Sequence, residues 1–222
     1  MRVRPFLPFG IYALAGVLHH AGGRPESSVR ALHKAVSLGA DRSIQLTDDA
    51  LAGSDVQATG YALATVLAKE SPDLVLLGQQ SDDGECYTIG AIVADHLQMP
   101  SLTQVIKMDV DGNGLKCERQ AEYGYDTVQV DFTAVISVGD AINEPRYPSL
   151  KAIMGAKKKP RDTKSAGDVG IESGKVGEEG SRTEVLAINP PPQKEAGEII
   201  EDEDTNETVE KIVAWLDERK LI

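Results

Sequence analysis

The chain has 222 residues, with 23 Lys and Arg against 35 Asp and Glu, for a formal net charge of -12. Nucleic-acid binding is excluded by that balance, since neutralising phosphates needs a basic face, and aromatic residues at 5% leave too few rings for a base-stacking platform. The length suits one ordinary domain with extensions, and no apolar run is long enough to cross a bilayer. Cys86 and Cys117 are too few and too far apart for a disulfide framework or a thiolate metal site. A reducing compartment is therefore expected, the cytoplasm or, in a eukaryote, the mitochondrial matrix.

Residues 1–23 read as an atypical leader. Arg2 and Arg4 precede a largely apolar run from Phe6 to Leu18 that imitates an export signal. Pro8 and Gly10 interrupt it, and His19-His20-Ala21-Gly22-Gly23 is a poor cleavage site, so export is not expected. The histidine pair has no acidic or cysteine companion nearby, which predicts exposed or locally bonded imidazoles rather than a metal site.

From Ser28 the pattern becomes regular. Val29, Leu32 and Val36 lie on one helical face, and Gly39 suits the C-terminal glycine position. Ser43 to Leu46 reads as a short strand. Ser54 or Asp55 opens a helix to about Lys69, with Val56, Leu63, Val66 and Leu67 inward. After the turn Ser71-Pro72-Asp73, Leu74 to Leu77 reads as a second buried strand. A polar loop, a helix to about Leu97 and a stop at Pro100 follow. Strands alternating with helices over short links predict βαβ units and a parallel sheet.

The polar loop from Gly78 to Gly90 is one candidate site. It leaves a buried strand and enters a helix, so it offers free backbone N–H groups that suit a phosphate. The same residue types also serve ordinary N-capping. The loop lacks the glycine fingerprint of a dinucleotide fold and the lysine of a P-loop, and nothing in it suggests ATP-cleaving chemistry.

Asp111-Gly112-Asn113-Gly114 predicts a hairpin turn between Val105–Val110 and Leu115–Gln120, with a further antiparallel strand from Tyr125 to Val130. The apolar run Ala134 to Val138 has no polar alternation and suits a strand buried on both faces. Gly139-Asp140 stops it, and Asn143, Pro145 and Pro148 forbid regular structure next. Ser149 can then N-cap a short helix carrying Leu150, Ile153 and Met154, with Lys157, Lys158 and Lys159 in its last turn and just beyond. Periodicity alone turns Ile153 and Met154 to the core. Leu150, beside an exposed proline-rich loop, can as easily point outward as an anchor.

Beyond Lys159 the composition changes. Residues 160–182 are rich in Gly, Ser, Lys and Asp, and Pro190-Pro191-Pro192 adds a stiff extended step, so this segment is expected to wrap or hang rather than build core. Asn206 to Lys220 reads as a helix with Val209, Ile212, Val213 and Leu216 in one stripe and Trp215 beside it. That stripe needs burial, on its own domain or on another subunit, and Val185, Leu186 and Ile188 could add a short strand on the way.

The run Asn143-Glu144-Pro145-Arg146-Tyr147, with Leu150, Ile153-Met154 and Ala156-Lys157-Lys158-Lys159, resembles the signature of the electron transfer flavoprotein β subunit. The resemblance implies a Rossmann-like α/β fold of the adenine nucleotide α-hydrolase type. It has a mostly parallel sheet, an antiparallel hairpin and an extended C-terminal arm. It divides the chain into a leader (1–23), a nucleotide-binding-type domain (24–159) whose recognition loop is 139–159, and a docking arm (160–222). It also implies that the leucine matched by Leu150 inserts into an apolar pocket of acyl-CoA dehydrogenases. The family's polar loop holds AMP as a structural nucleotide, which carries over to Gly78, Gln80, Ser81, Asp82, Asp83, Cys86, Tyr87, Thr88, Ile89 and Gly90. Where the family has Asn-Gln-Thr before the glycine, this chain has Tyr87-Thr88-Ile89.

FAD is implied to be held mainly by an α subunit, across which the β-subunit arm extends. The heterodimer would be an electron carrier rather than an enzyme, taking electrons from dehydrogenases of fatty-acid β-oxidation and passing them towards the respiratory chain. Two features depart from the family. Gln120 in Glu118-Arg119-Gln120 replaces an acid near the subunit interface. The family's first strand has no match, so either Ile11 to Leu18 takes its place or the coding start is misassigned. A stand-alone adenine-nucleotide-binding protein or enzyme, and a truncated chain with open sheet edges, are the competing expectations.

Overall fold

The computed structural model describes residues 12–16, 25–81, 84–191, 193, 197, 199 and 204–222. The expectations for Arg2 and Arg4, for the His19-His20 pair and for Asp82 and Asp83 fall outside the described residues. The chain divides into two compact units, Met1–Glu184 and Val185–Ile222.

The first unit runs β1 (Tyr12–Gly16), α1 (Pro25–Leu38), β2 (Arg42–Leu46), α2 (Val56–Glu70), β3 (Leu74–Gly78), α3 (Ile89–Leu97), β4 (Ser101–Asp111), β5 (Gly114–Ala121), β6 (Gly124–Asp131), β7 (Ala134–Val138), α4 (Leu150–Ala156), β8 (Arg161–Lys164), α5 (Ala166–Val169) and α6 (Gly177–Gly180). Alternation of β and α delivers the expected parallel pairings, but the described strands form two sheets, β1-β2-β8 and β3-β7-β4-β5-β6. Pairing is parallel from β1 through β2 to β8 and from β3 through β7 to β4, then antiparallel through β4, β5 and β6. Tyr12 to Gly16 pair in parallel register with Arg42 to Leu46, so this part of the 1–23 segment forms a strand.

β7 lies inside its sheet, and Ala134, Val135 and Ile136 are fully buried there. β3 differs from expectation. It lies at the sheet's edge, so Val75 is buried while Leu76 is half exposed. The hairpin turns at Gly112-Asn113 with Asp111 opposite Gly114, as the sequence demands. Gln120 is exposed on β5, which lies between β4 and β6.

Residues 161–184 correct the expectation of a loose arm beginning at 160. β8 extends β2 in parallel, and Ala166, Val169, Ile171 and Val176 join Ile44, Leu46, Leu51, Ala62 and Val66 in one core cluster. Glycines and serines dominated the composition, but four apolar residues at irregular spacing suffice once polar bonds fix the path. Asp48 accepts from the Ala166 N–H at 2.9 Å, and Ser54 Oγ accepts from the Gly177 N–H at 2.7 Å. Asp55 Oδ2 accepts from the N–H groups of Arg182 and Thr183 at 2.7 and 3.1 Å. Gly177 is required: its φ is +69°, and a Cβ there would meet the Ala50 carbonyl oxygen at 2.7 Å.

In the second unit, Asp204 caps α7 (Thr205–Glu218) by accepting from the Asn206 N–H at 2.8 Å. Val209, Ile212, Val213 and Trp215 are exposed, and the Arg219 guanidinium lies 4.1 Å from the Trp215 ring centroid. Val185, Leu186 and Ile188 are exposed and form no strand, so the added strand expected there is not made within this chain.

Candidate functional site

Both candidate sites sit at the carboxyl edge of one parallel pair. Gly78 at the end of β3 lies opposite Val138 at the end of β7, so the 78–90 loop and the 139–149 loop leave the sheet side by side. Ligand sites in α/β sheets collect at this edge. Gln79 Oε1 comes within 3.1 Å of where a Gly139 Cβ would stand, so the first loop's side chain rests on the start of the second.

The loop after β7 is held by polar contacts. The Gly139 N–H donates to the Val105 carbonyl at 2.9 Å, and a 3₁₀ turn over Asp140–Ile142 leads into the extended Asn143. Asn143 Nδ2 donates to the Glu144 carbonyl at 3.3 Å, and Glu144 and Pro145 face solvent. Arg146 donates from Nη2 to the Leu38 carbonyl at 2.5 Å, and Lys159 donates from Nζ to the Ala40 carbonyl at 2.7 Å. Both cations therefore satisfy carbonyls at or just past the end of α1, where the helix dipole favours positive charge. The segment between them is pinned at both ends. Ser149 caps α4, its hydroxyl accepting from the Ala152 N–H at 3.2 Å, as expected.

The orientation of α4 corrects the periodicity argument. Its buried face is small: Ala156 packs with Val36 and Ala40 of the α1 region, and Ala152 is half-buried on the same side. Alanines allow close approach to α1, and the large residues are left outside. Leu150 is 73% exposed, Met154 63% and Ile153 38%, with Tyr147 at 97%. Ile153 and Met154 thus join Leu150 on one outward patch instead of filling the core. The three lysines also sit later than expected, with Lys157 as the C-cap and Lys158 and Lys159 beyond it, none in the last turn.

The polar loop after β3 is open. Gln80, Ser81, Cys86, Tyr87 and Thr88 are exposed, Ile89 is half-buried against the core, and Gly90 is buried. The Ser81 carbonyl accepts from the Glu85 N–H at 2.9 Å, and the Cys86 thiol points to the Gly84 carbonyl at 3.0 Å. Thr88 precedes α3 without any side-chain capping bond, so first-turn N–H groups stay available to an anion. A Cβ on Gly90 would meet Ser137 Cβ at 3.4 Å, so the glycine lets α3 settle against β7.

Sequence reasoning missed the bracing roles of Arg146 and Lys159, which no local pattern announces because the acceptors lie more than a hundred residues away. Asp55 was expected only as a helix start. Partial burial pushes its carboxyl up, but N–H donation from Ala58, Arg182 and Gln57 and the Thr183 hydroxyl together hold it below the ordinary carboxylate range. Among the described residues no group of His, Cys, Asp and Glu could hold a metal, and no helix is long and apolar enough to cross a membrane.

Comparison with known proteins agrees with this arrangement. The electron transfer flavoprotein domain family matches residues 19–169. The chain is 42% identical over 199 residues to an electron transfer flavoprotein subunit beta of Mycobacterium tuberculosis, spanning 89% of this chain and 74% of that protein. It is 35% identical over 199 residues to the subunit beta of Thermoanaerobacterium thermosaccharolyticum, spanning 89% and 76%. It is 32% identical over 201 residues to subunit CarD of the caffeyl-CoA reductase-Etf complex of Acetobacterium woodii, spanning 90% and 76%. A mixed α/β unit with its candidate loops at one sheet edge, matched over most of its length at these identities, places the chain in the electron transfer flavoprotein family, among its β subunits.

Proposed function

We propose that this chain pairs with an α subunit carrying most of the FAD, and that it presents the 139–159 segment to acyl-CoA and related dehydrogenases. The observation that carries this reading is the outward patch of Tyr147, Leu150, Ile153 and Met154 on a pinned helix. Large side chains exposed together on a rigid element match the anatomy of a recognition hot spot, where an aliphatic anchor fills a partner's pocket. Asn143, Glu144, Pro145 and Arg146 set the entry path of that helix. Lys157 and Lys158 supply a cationic rim that steers an acidic partner.

The chain acts as a carrier's scaffold rather than as a catalyst. FAD, held mainly by the α subunit, would supply the redox chemistry between the donor and the respiratory chain. This chain's own residues hold the donor by a small anchor, which lets the complex form and release quickly. The open α3 N-terminus fits a nucleotide phosphate, so AMP is assigned to the backbone N–H groups near Thr88, Ile89 and Gly90, with Gly78, Gln80, Ser81, Cys86 and Tyr87 around it. The free thiols Cys86 and Cys117 support a reducing, cytoplasmic setting.

The test is Leu150→Ala in the heterodimer. Loss of a central anchor is expected to lower kcat/KM for flavin reduction by an acyl-CoA dehydrogenase about tenfold or more, with flavin content unchanged. Unaltered kinetics would remove Leu150 from the docking surface.

A further inference from the structure

A cleft of about 370 Å³ opens between α1, α4 and the starts of β2 and β8, at the C-terminal end of the 139–159 segment, with polar walls of His33, Ser43, Lys157, Lys159 and Arg161. Its apolar floor is Val36 and Ala156, which pack together. Ser43 and Arg161 are register partners across β2 and β8, so the guanidinium leaves the first residue of β8 directly beside the buried serine. Among the described residues no carboxylate lines the cleft, in a chain whose net charge is -12.

The side chains of Lys157 and Arg161 make no hydrogen bond or ion pair with the described residues, while Lys159 uses one N–H on the Ala40 carbonyl. The His33 Nε2 atom is buried and has no hydrogen-bond partner among the described residues. Three cations gathered around one cavity repel each other, and a multiply charged anion between them relieves that repulsion. An arginine fork with lysine ammonium groups is a donor set suited to phosphate oxygens. The volume lies at the small end of ligand sites.

We propose that this cleft binds a small phosphorylated anion of about diphosphate size. Such a site is separate from the nucleotide-type loop, which leaves the end of β3, whereas the cleft opens at the starts of β2 and β8. Occupancy ties the C-terminal end of α4 to β8 and α1. The proposal does not depend on the donor-docking reading, because it is read by binding alone.

Inorganic pyrophosphate titrated calorimetrically into the full-length chain is expected to bind saturably, and more tightly than inorganic phosphate. Lys157→Ala combined with Arg161→Gln is expected to weaken that binding at least about tenfold, with an unchanged thermal melt because both side chains are exposed. Lys157→Arg is expected to retain binding. The site is refuted if pyrophosphate shows no saturable binding, or if binding survives the double substitution, which would move the anion elsewhere, such as the α3 N-terminus.

Discussion

Asp55 carries more than a helix start. Its Oδ1 accepts from the Gln57 and Ala58 N–H groups at 3.0 and 2.9 Å, and its Oδ2 ties down residues 182 and 183. Asp55→Ala should therefore remove a cap and a tertiary anchor together. A loss of about 1–2 kcal/mol is expected in a denaturant melt, and a loss within error would show that the anchor is redundant. The pH dependence has a definite sign. The folded carboxyl lies below its ordinary value, so the stabilisation is complete above the unfolded carboxylate range and lost as pH falls through the folded value. Asp168, held low by the Ser165 N–H and hydroxyl, acts in the same direction. The wild-type melting temperature should fall with acid over this range, and Asp55→Ala should show a shallower fall. Arg146 is the matching residue in the segment proposed to meet the donor. Arg146→Ala frees the Leu38 carbonyl and one end of the loop, so KM for the donor should rise while flavin content stays constant.

At the level of elements, regular periodicity was legible and irregular packing was not. Ala134–Val138, the Gly112-Asn113 turn and the Ser149 cap follow directly from their residues, because each depends on neighbours close in sequence. α4 was misread because its core face consists of alanines. A pattern that weighs large apolar residues assigns the inward face to Ile153 and Met154. The 161–184 segment was misread because composition averages hide Ala166, Val169, Ile171 and Val176 among glycines. The Ser165–Asp168 capping box and the αL Gly170 were the local signals that could have found α5. Ile171 is buried in the cluster that joins this segment to β2 and α2. Ile171→Ala should cost about 2–4 kcal/mol in equilibrium unfolding. A change under about 0.5 kcal/mol, as at ordinary surface positions, would show that the segment is not core.

For the molecule as a whole, the two units have different characters. The first buries its apolar residues in four core clusters, whereas α7 of the second carries Val209, Ile212, Val213 and Trp215 exposed along its length. An amphipathic helix on a polar tether gains stability by burying its stripe against a partner. Removing residues 205–222 should weaken association with the α subunit while leaving the melt of the first unit unchanged. Retained association would assign the subunit contact elsewhere. The measurement that bears most directly on the carrier reading is co-expression of this chain with the flavin-binding subunit, followed by the absorbance spectrum of the purified product. A yellow, equimolar complex that is bleached by an acyl-CoA dehydrogenase and its substrate is expected. A persistently colourless chain that elutes alone would contradict it.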